Sequence, residues 1–257
     1  MSGKVEKTSN DHEKHKGDIT CLAFVNGYLF SGGQDGFVKI WDENLNLKPS
    51  QDIYSSIENP IQALFCHGES IWAGDGVGNL FNFENFERAQ HFEMVEEIKG
   101  LAIDDKLIYT IRDNDLCISE IIPERGLYIV KAVVPGKSPL KLFGAYINAK
   151  RSLLATVSRD GKGINVLNNC PHRDFVKMWH IDNAHETIIN ALSGNENTLF
   201  SGSYNGTIKV WSNVNDVGKL YGELNIGSCI NSLCHGPDDH TVFAGTSDGK
   251  IKKVVFS

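Results

Sequence analysis

The residues with the means to do chemistry in this 257-residue chain are a few histidines, two Cys-His pairs and many carboxylates. His15, Ser31, Asp35 and Trp41 form one ordered set, and His185, Ser201, Asn205 and Trp211 form a second at the same internal spacing. A histidine with a hydroxyl and a carboxylate nearby is the raw material of general-base or nucleophilic catalysis. Recurrence of the set at matching places argues instead for a structural role, because a catalytic constellation has no reason to occur twice. Cys66-His67-Gly68 and Cys234-His235-Gly236 offer sulfur and nitrogen ligands. Each pair supplies two donors where a closed zinc site takes four, and both fall at one repeat position, at the end of a strand and its turn. The glycines of Gly74–Gly78 lack the lysine and the strand-to-helix setting of a phosphate loop. No GxSxG or HExxH segment occurs, and nothing brings two carboxylates together at catalytic spacing. The expectation is a protein that is not an enzyme, with no catalytic residue, metal or cofactor.

The elements that must hold these residues are short strands in a repeat. Segments similar to SGGQDGFVKIW at Ser31 begin again at Ala73, Thr110, Thr156, Ser201 and Ala244, a step of about 43 residues. Each copy begins with an alternating apolar strand: Ile19–Phe24, Ile61–Phe65, Ile98–Ile103, Leu140–Tyr146, Ile188–Leu192 and Ile230–Cys234. A small-residue strand, a turn rich in Asp, Asn and Gly, and a third strand follow. Period-two alternation bounded by such turns marks half-buried antiparallel strands. The pairs Asp35-Gly36, Asn205-Gly206 and Asp248-Gly249 suit tight hairpins. A further strand-like stretch separates the copies, which makes four strands per unit. Six inner triplets but five intervening strands leave one outer strand to find, and Lys4–Thr8 is the candidate to close the last unit.

Composition agrees with one large all-β domain. Hydrophobic residues make up 41% and charged residues 22%, enough apolar material for a core without a signature of disorder. The net charge of −7 argues against a nucleic-acid partner, which would call for clustered Lys and Arg. The six cysteines contain no CxxC pair, and most lie in apolar alternating segments where a reduced thiol packs as a small hydrophobe. No apolar run reaches the length of a membrane span, and the opening MSGKVEKTSNDHEKHKG has no hydrophobic core of a secretory signal. A cytoplasmic location is expected, with the nucleus as the alternative.

A four-stranded unit of this length, with a His before its first strand and Trp41-Asp42 at its third, resembles the WD-repeat family over roughly residues 15–256. The resemblance implies a β-propeller of four-stranded antiparallel blades, six by count, or an incomplete ring of seven. It implies an N-terminal segment 1–14 and a propeller from 15 to 257, with blade cores near 19–42, 61–83, 98–120, 140–167, 188–211 and 230–256. It further implies that His15, Ser31, Asp35 and Trp41 join in a buried hydrogen-bond network, and that His185, Ser201, Asn205 and Trp211 do the same. The other blades depart from this pattern: Ile57, Ala73, Val77 and Phe83 fill the slots of the second, and Met94, Thr110, Asn114 and Glu120 those of the third. The fourth keeps Thr156 and Asp160, and the sixth keeps Asp248.

What such a ring implies is a non-catalytic scaffold or adaptor binding partner peptides or domains on its faces. The residue before the turn Asp varies from blade to blade as Gln34, Gly76, Asp113, Arg159, Tyr204 and Ser247. Arg112, Arg159 and Tyr204 are the candidate partner-binding residues, for an acidic or phosphorylated segment, since Tyr and Arg are favoured anchors. An alternative is a substrate receptor of a ubiquitin ligase, although Trp41-Asp42 is followed by Glu43-Asn44 rather than the x-Arg such receptors often carry. A propeller enzyme or a lipid-binding propeller stands behind both, lacking the repeated S-x-D-x-G-x-x-W box of sialidases and the FRRG lipid motif. Oligomeric state is open, a monomer being expected if the ring closes.

Overall fold

The computed structural model describes residues 2–48, 54–55, 59–67, 70–84, 87–94, 96–104, 106–112, 115–122, 125, 127–135, 137–146, 151–170 and 175–257. Among these there is no α-helix, and the chain runs through 24 strands. After β1 (Gly3–Thr8) come β2 (Ile19–Val25), β3 (Tyr28–Gly33), β4 (Phe37–Asp42) and β5 (Tyr54–Ser55). The second group is β6 (Ile61–His67), β7 (Ser70–Asp75), β8 (Asn79–Glu84) and β9 (Glu87–Glu93). The third is β10 (Gly100–Asp104), β11 (Leu107–Arg112), β12 (Asp115–Ile122) and β13 (Leu127–Pro135). The fourth is β14 (Lys137–Tyr146), β15 (Arg151–Val157), β16 (Ile164–Asn168) and β17 (Lys177–Ile181). The fifth is β18 (Ile189–Gly194), β19 (Leu199–Ser203), β20 (Thr207–Ser212) and β21 (Lys219–Asn225). The chain ends with β22 (Ile230–His235), β23 (Thr241–Thr246) and β24 (Ile251–Phe256).

Each group of four is an antiparallel sheet, and the final three strands take β1 as their fourth. Gly3 lies opposite Phe256 and Thr8 opposite Lys252, with a register shift between Val5 and Lys7. Ser2 and Ser257 exchange backbone hydrogen bonds at 3.3 and 3.1 Å, and Lys253 pairs with Glu6 at 2.9 Å. The first strands of the six sheets, β2, β6, β10, β14, β18 and β22, lie each against the next, and β22 lies against β2. The ring is therefore closed with six blades, and the alternative of an incomplete seven is set aside. Pairing the first strand with the last covers the edge of β24 and makes β1 the outer strand of the sixth blade, which is what makes closure favourable for an all-β chain.

Alternation explains the strands and their packing. β4 and β20 share one burial pattern, with Val38, Ile40 and Trp41 in one matching Ile208, Val210 and Trp211 in the other. Their preceding hairpin turns hold Gly36 at φ 76° and Gly206 at φ 84°, a left-handed conformation that glycine adopts without a Cβ clash. The core lies between blades: Phe200, Ile208 and Val210 of the fifth meet Ile230, Leu233, Val242 and Phe256 of the sixth.

A glycine in the second strand of four blades admits an isoleucine of the next. A Cβ placed on Gly32 would stand 2.7 Å from Ile61 Cγ2, and one on Gly74 2.8 Å from Ile98 Cγ2. The same relation holds for Gly202 with Ile230 and for Gly245 with Ile19, each at 2.6 Å. The last pair closes the ring. Ile111 and Val157 occupy this slot in the third and fourth blades, so those two junctions are packed differently.

Candidate functional site

The first blade's network runs through four buried or half-buried groups. Trp41 Nε1 donates to Ser31 Oγ at 2.8 Å, Ser31 Oγ meets His15 Nε2 at 2.7 Å, and His15 Nδ1 meets Asp35 Oδ1 at 2.8 Å. An indole N–H can only donate and a carboxylate can only accept. The chain of donors is then closed when Ser31 donates to Nε2 and the imidazole proton sits on Nδ1. Burial pushes the Asp35 carboxyl up, but the bonds from His15, Lys16 N–H and Phe37 N–H outweigh it and hold its pKa at about 2. These groups are all consumed by each other. His15 and Ser31 are 1% and 0% exposed, so the set has no face open to a substrate.

The fifth blade repeats half of this arrangement. Trp211 Nε1 donates to Ser201 Oγ at 2.8 Å and Ser201 Oγ meets His185 Nε2 at 2.7 Å. Asn205 does not join them, which corrects the expected set: its Oδ1 accepts from Ser203 Oγ at 2.6 Å and from Thr207 N–H at 3.2 Å. The cause lies at one position. Gly33 of the first blade has no side chain, and a Cβ there would stand 2.7 Å from His15 Nδ1. Ser203 fills the equivalent place and takes the turn amide for itself. Ser158 to Asp160 and Thr246 to Asp248 follow the same local pattern in the fourth and sixth blades. Burial, then the Lys209 charge, pushes His185 down to about 4. In the third blade, where Met94 and Glu120 replace His and Trp, the buried Thr110 hydroxyl has no partner among the described residues.

The turns between second and third strands are held rigidly while their side chains differ. Gln34 N–H donates to Asp18 O at 3.0 Å, Gly76 to Pro60 O at 3.0 Å, Tyr204 to Ile188 O at 2.9 Å and Ser247 to Cys229 O at 3.2 Å. Each bond ties a turn to the residue before an inner strand, so both lie at one end of the ring. Tyr204 projects from its pinned backbone with 66% of its surface exposed. Ile188, 57% exposed, reaches across to Gly161 in the turn that carries the exposed Arg159. Ile189 N–H donates to Gly161 O at 2.8 Å, which locks that turn to the next blade. Arg159 and Tyr204 thus flank Ile188. Arg112 ends β11 in the third blade, and its side chain lies outside the described residues. Ile188 was not singled out by sequence; its signal is an apolar residue one place before a strand whose alternation it breaks.

The axial channel is lined by a second set that sequence reasoning passed over. A register shift recurs after the first residue of four inner strands, at Ile19/Cys21, Ile61/Ala63, Ile189/Ala191 and Ile230/Ser232. The extra residue in each is Thr20, Gln62, Asn190 or Asn231, and all four line an axial cavity of about 350 Å3. Bulges re-aim a side chain out of the pleat, and here they put a polar group on the channel wall. The legible trace is a polar residue in second place in an otherwise apolar strand. Cys66 and Cys234-His235 meet with Lys141 around a smaller cavity of about 150 Å3 at the other end of the inner strands. Among the described residues no group of three His, Cys, Asp or Glu is placed to hold a metal ion; the His67 side chain lies outside them.

The WD40 family model, described as WD domain, G-beta repeat, matches residues 4–42, 176–212 and 217–253. Each match starts at an outer strand, β1, β17 or β21, and ends in the third strand of the following sheet. The sequence repeat is therefore offset from the blade by one strand, and this offset is what staples the ring shut. With six four-stranded blades in a closed ring, the chain is a six-bladed β-propeller. The three matched segments are WD40 repeats, and WD40 propellers generally mediate protein–protein interaction. No curated protein matches the chain.

Proposed function

We propose that the protein is a non-catalytic scaffold that holds a partner segment on the end of the ring carrying Arg159 and Tyr204. The observation that carries this reading is the repeated bond from turn to inner strand, which fixes Tyr204 N–H on Ile188 O at 2.9 Å while its ring stands 66% exposed. A preset backbone means that little conformational entropy is lost when the side chain engages a partner. Tyr204 and Ile188 supply apolar area, and Arg159 supplies positive charge. An acidic or phosphorylated segment with an apolar residue beside the charge fits this chemistry. Six free cysteines suit a reducing compartment, and we place the protein in the cytoplasm or nucleus.

Co-purification from cells identifies the partner, and Arg159→Ala and Tyr204→Ala then test the face. Affinity for that partner is expected to fall at least tenfold in each variant; unchanged affinity in both rejects the patch.

A further inference from the structure

Lys141 on β14 lines both the larger and the smaller axial cavity. Its sheet stands across the ring from that of β2, with two sheets on either side. Its ammonium lies 5.5 Å from the centre of the Phe65 ring, on the second blade. Among the described residues it has no carboxylate within ion-pair reach and no hydrogen-bond acceptor. Its charge is felt by Cys66, Cys234 and His235, which places it near the second and sixth blades at once.

The surroundings are short of negative charge at that depth. Burial drives the Cys66 thiol up to about 12 and Cys234 to about 11, so both are uncharged. His235 Nδ1 is buried without a hydrogen-bond partner, and burial, then Lys141, pushes this imidazole down to about 3. A buried polar atom and an ammonium, both unanswered at one level of a channel, define a place for an acceptor that the described residues do not supply.

We propose that the axial channel is a binding site for a carboxylate, with Lys141 Nζ as its counter-ion and His235 Nδ1 as a second hydrogen-bond donor. The charges nearer the rim favour a single negative charge over a phosphate. Glu97 pairs with Lys99 at 3.3 Å and Asp18 accepts from Asn231 at 3.0 Å. Lys99 is matched by Glu97, so Lys141 and Asp18 are the remaining two of the four charges, and Asp18 repels a dianion more strongly than a monoanion. Gln62 and Asn190 on the wall offer amide donors and acceptors to whatever carries the carboxylate. The bearer is either a free small acid or the carboxy-terminus of an extended peptide entering along the axis. The site shares no residue with Arg159 and Tyr204, so the two readings fail separately.

Sodium acetate titrated against the full chain at constant ionic strength, with chloride as control, tests the site through the NMR signals of the Lys141 and His235 side chains. Saturable shifts are expected in the parent and in Lys141→Arg, with a midpoint at least tenfold weaker in Lys141→Met and no change in Tyr204→Ala. Shifts that do not saturate, that chloride reproduces, or that persist in Lys141→Met overturn the proposal. Pools of random heptapeptides with free or amidated carboxy-termini then separate the sources. At least tenfold preferential retention of the free-acid pool on the parent, lost in Lys141→Met, makes the bearer a peptide; equal retention beside a saturable acetate response makes it a small acid.

Discussion

His15 and Asp35 meet at 2.8 Å because Gly33, between them in space, has no side chain. Ser203 stands at that place in the fifth blade, and its hydroxyl claims Asn205 at 2.6 Å. The side chain at this one position decides whether the turn residue serves the buried histidine or its own hairpin.

The exchange is testable in both directions. Gly33→Ser puts a Cβ 2.7 Å from His15 Nδ1 and is expected to cost about 1–3 kcal/mol through overpacking and a lost buried bond. In the fifth blade, Ser203→Gly with Asn205→Asp should give His185 a carboxylate partner. Its pKa should then rise from about 4, read by NMR titration of the ring. A pKa left in place would show that Gly33 is not the deciding position.

The seam of the ring rests on Ile19 against Gly245, with 2.6 Å between Ile19 Cγ2 and the position a Cβ would take. Both side chain and backbone there are buried. Gly245→Ala is expected to destabilise by about 1–3 kcal/mol, seen as a lower denaturant midpoint. Gly27→Ala, at a site with nothing within 4 Å but φ at +79°, separates backbone strain from crowding; it should cost about 1 kcal/mol.

Stability should fall with acid in two stages. His185 and His235 have folded pKa values near 4 and 3, below the ordinary 6.5. The unfolded chain therefore binds the extra protons first, so their contribution is full above pH 6.5 and declines as pH drops toward those values. Each unit of difference is worth about 1.4 kcal/mol. Asp35, depressed to about 2, adds a second loss as pH falls from its ordinary 3.8 toward 2. Chemical denaturation between pH 7 and 3 reads the first stage, and His185→Gln should flatten part of it.

Removing residues 1–8 deletes β1 and uncovers the edge of β24. An open strand edge templates further pairing. Light scattering should show dimers or larger species for the shortened chain and a monomer for the whole one.

The sequence by itself determined the repeat, the four-strand unit and the presence of six copies, though not whether six complete the ring, because alternation and Gly/Asp turns are local properties repeated about every 43 residues. It also marked Lys4–Thr8 as the missing outer strand, since a strand inventory that does not divide by four points to its own remedy. Three matters needed the tertiary structure. Asn205 looks interchangeable with Asp35 in a linear pattern, yet its partner depends on a neighbour two residues away whose side chain competes for it. Thr20, Gln62, Asn190 and Asn231 read as ordinary strand residues, and only the recurring bulge turns them into a channel wall. Lys141 is one lysine among many along the chain; across the ring it faces Phe65, Cys66 and His235. Local pattern fixes what each blade is made of, whereas side chains from separate blades meet only after closure brings all six inner strands to one axis.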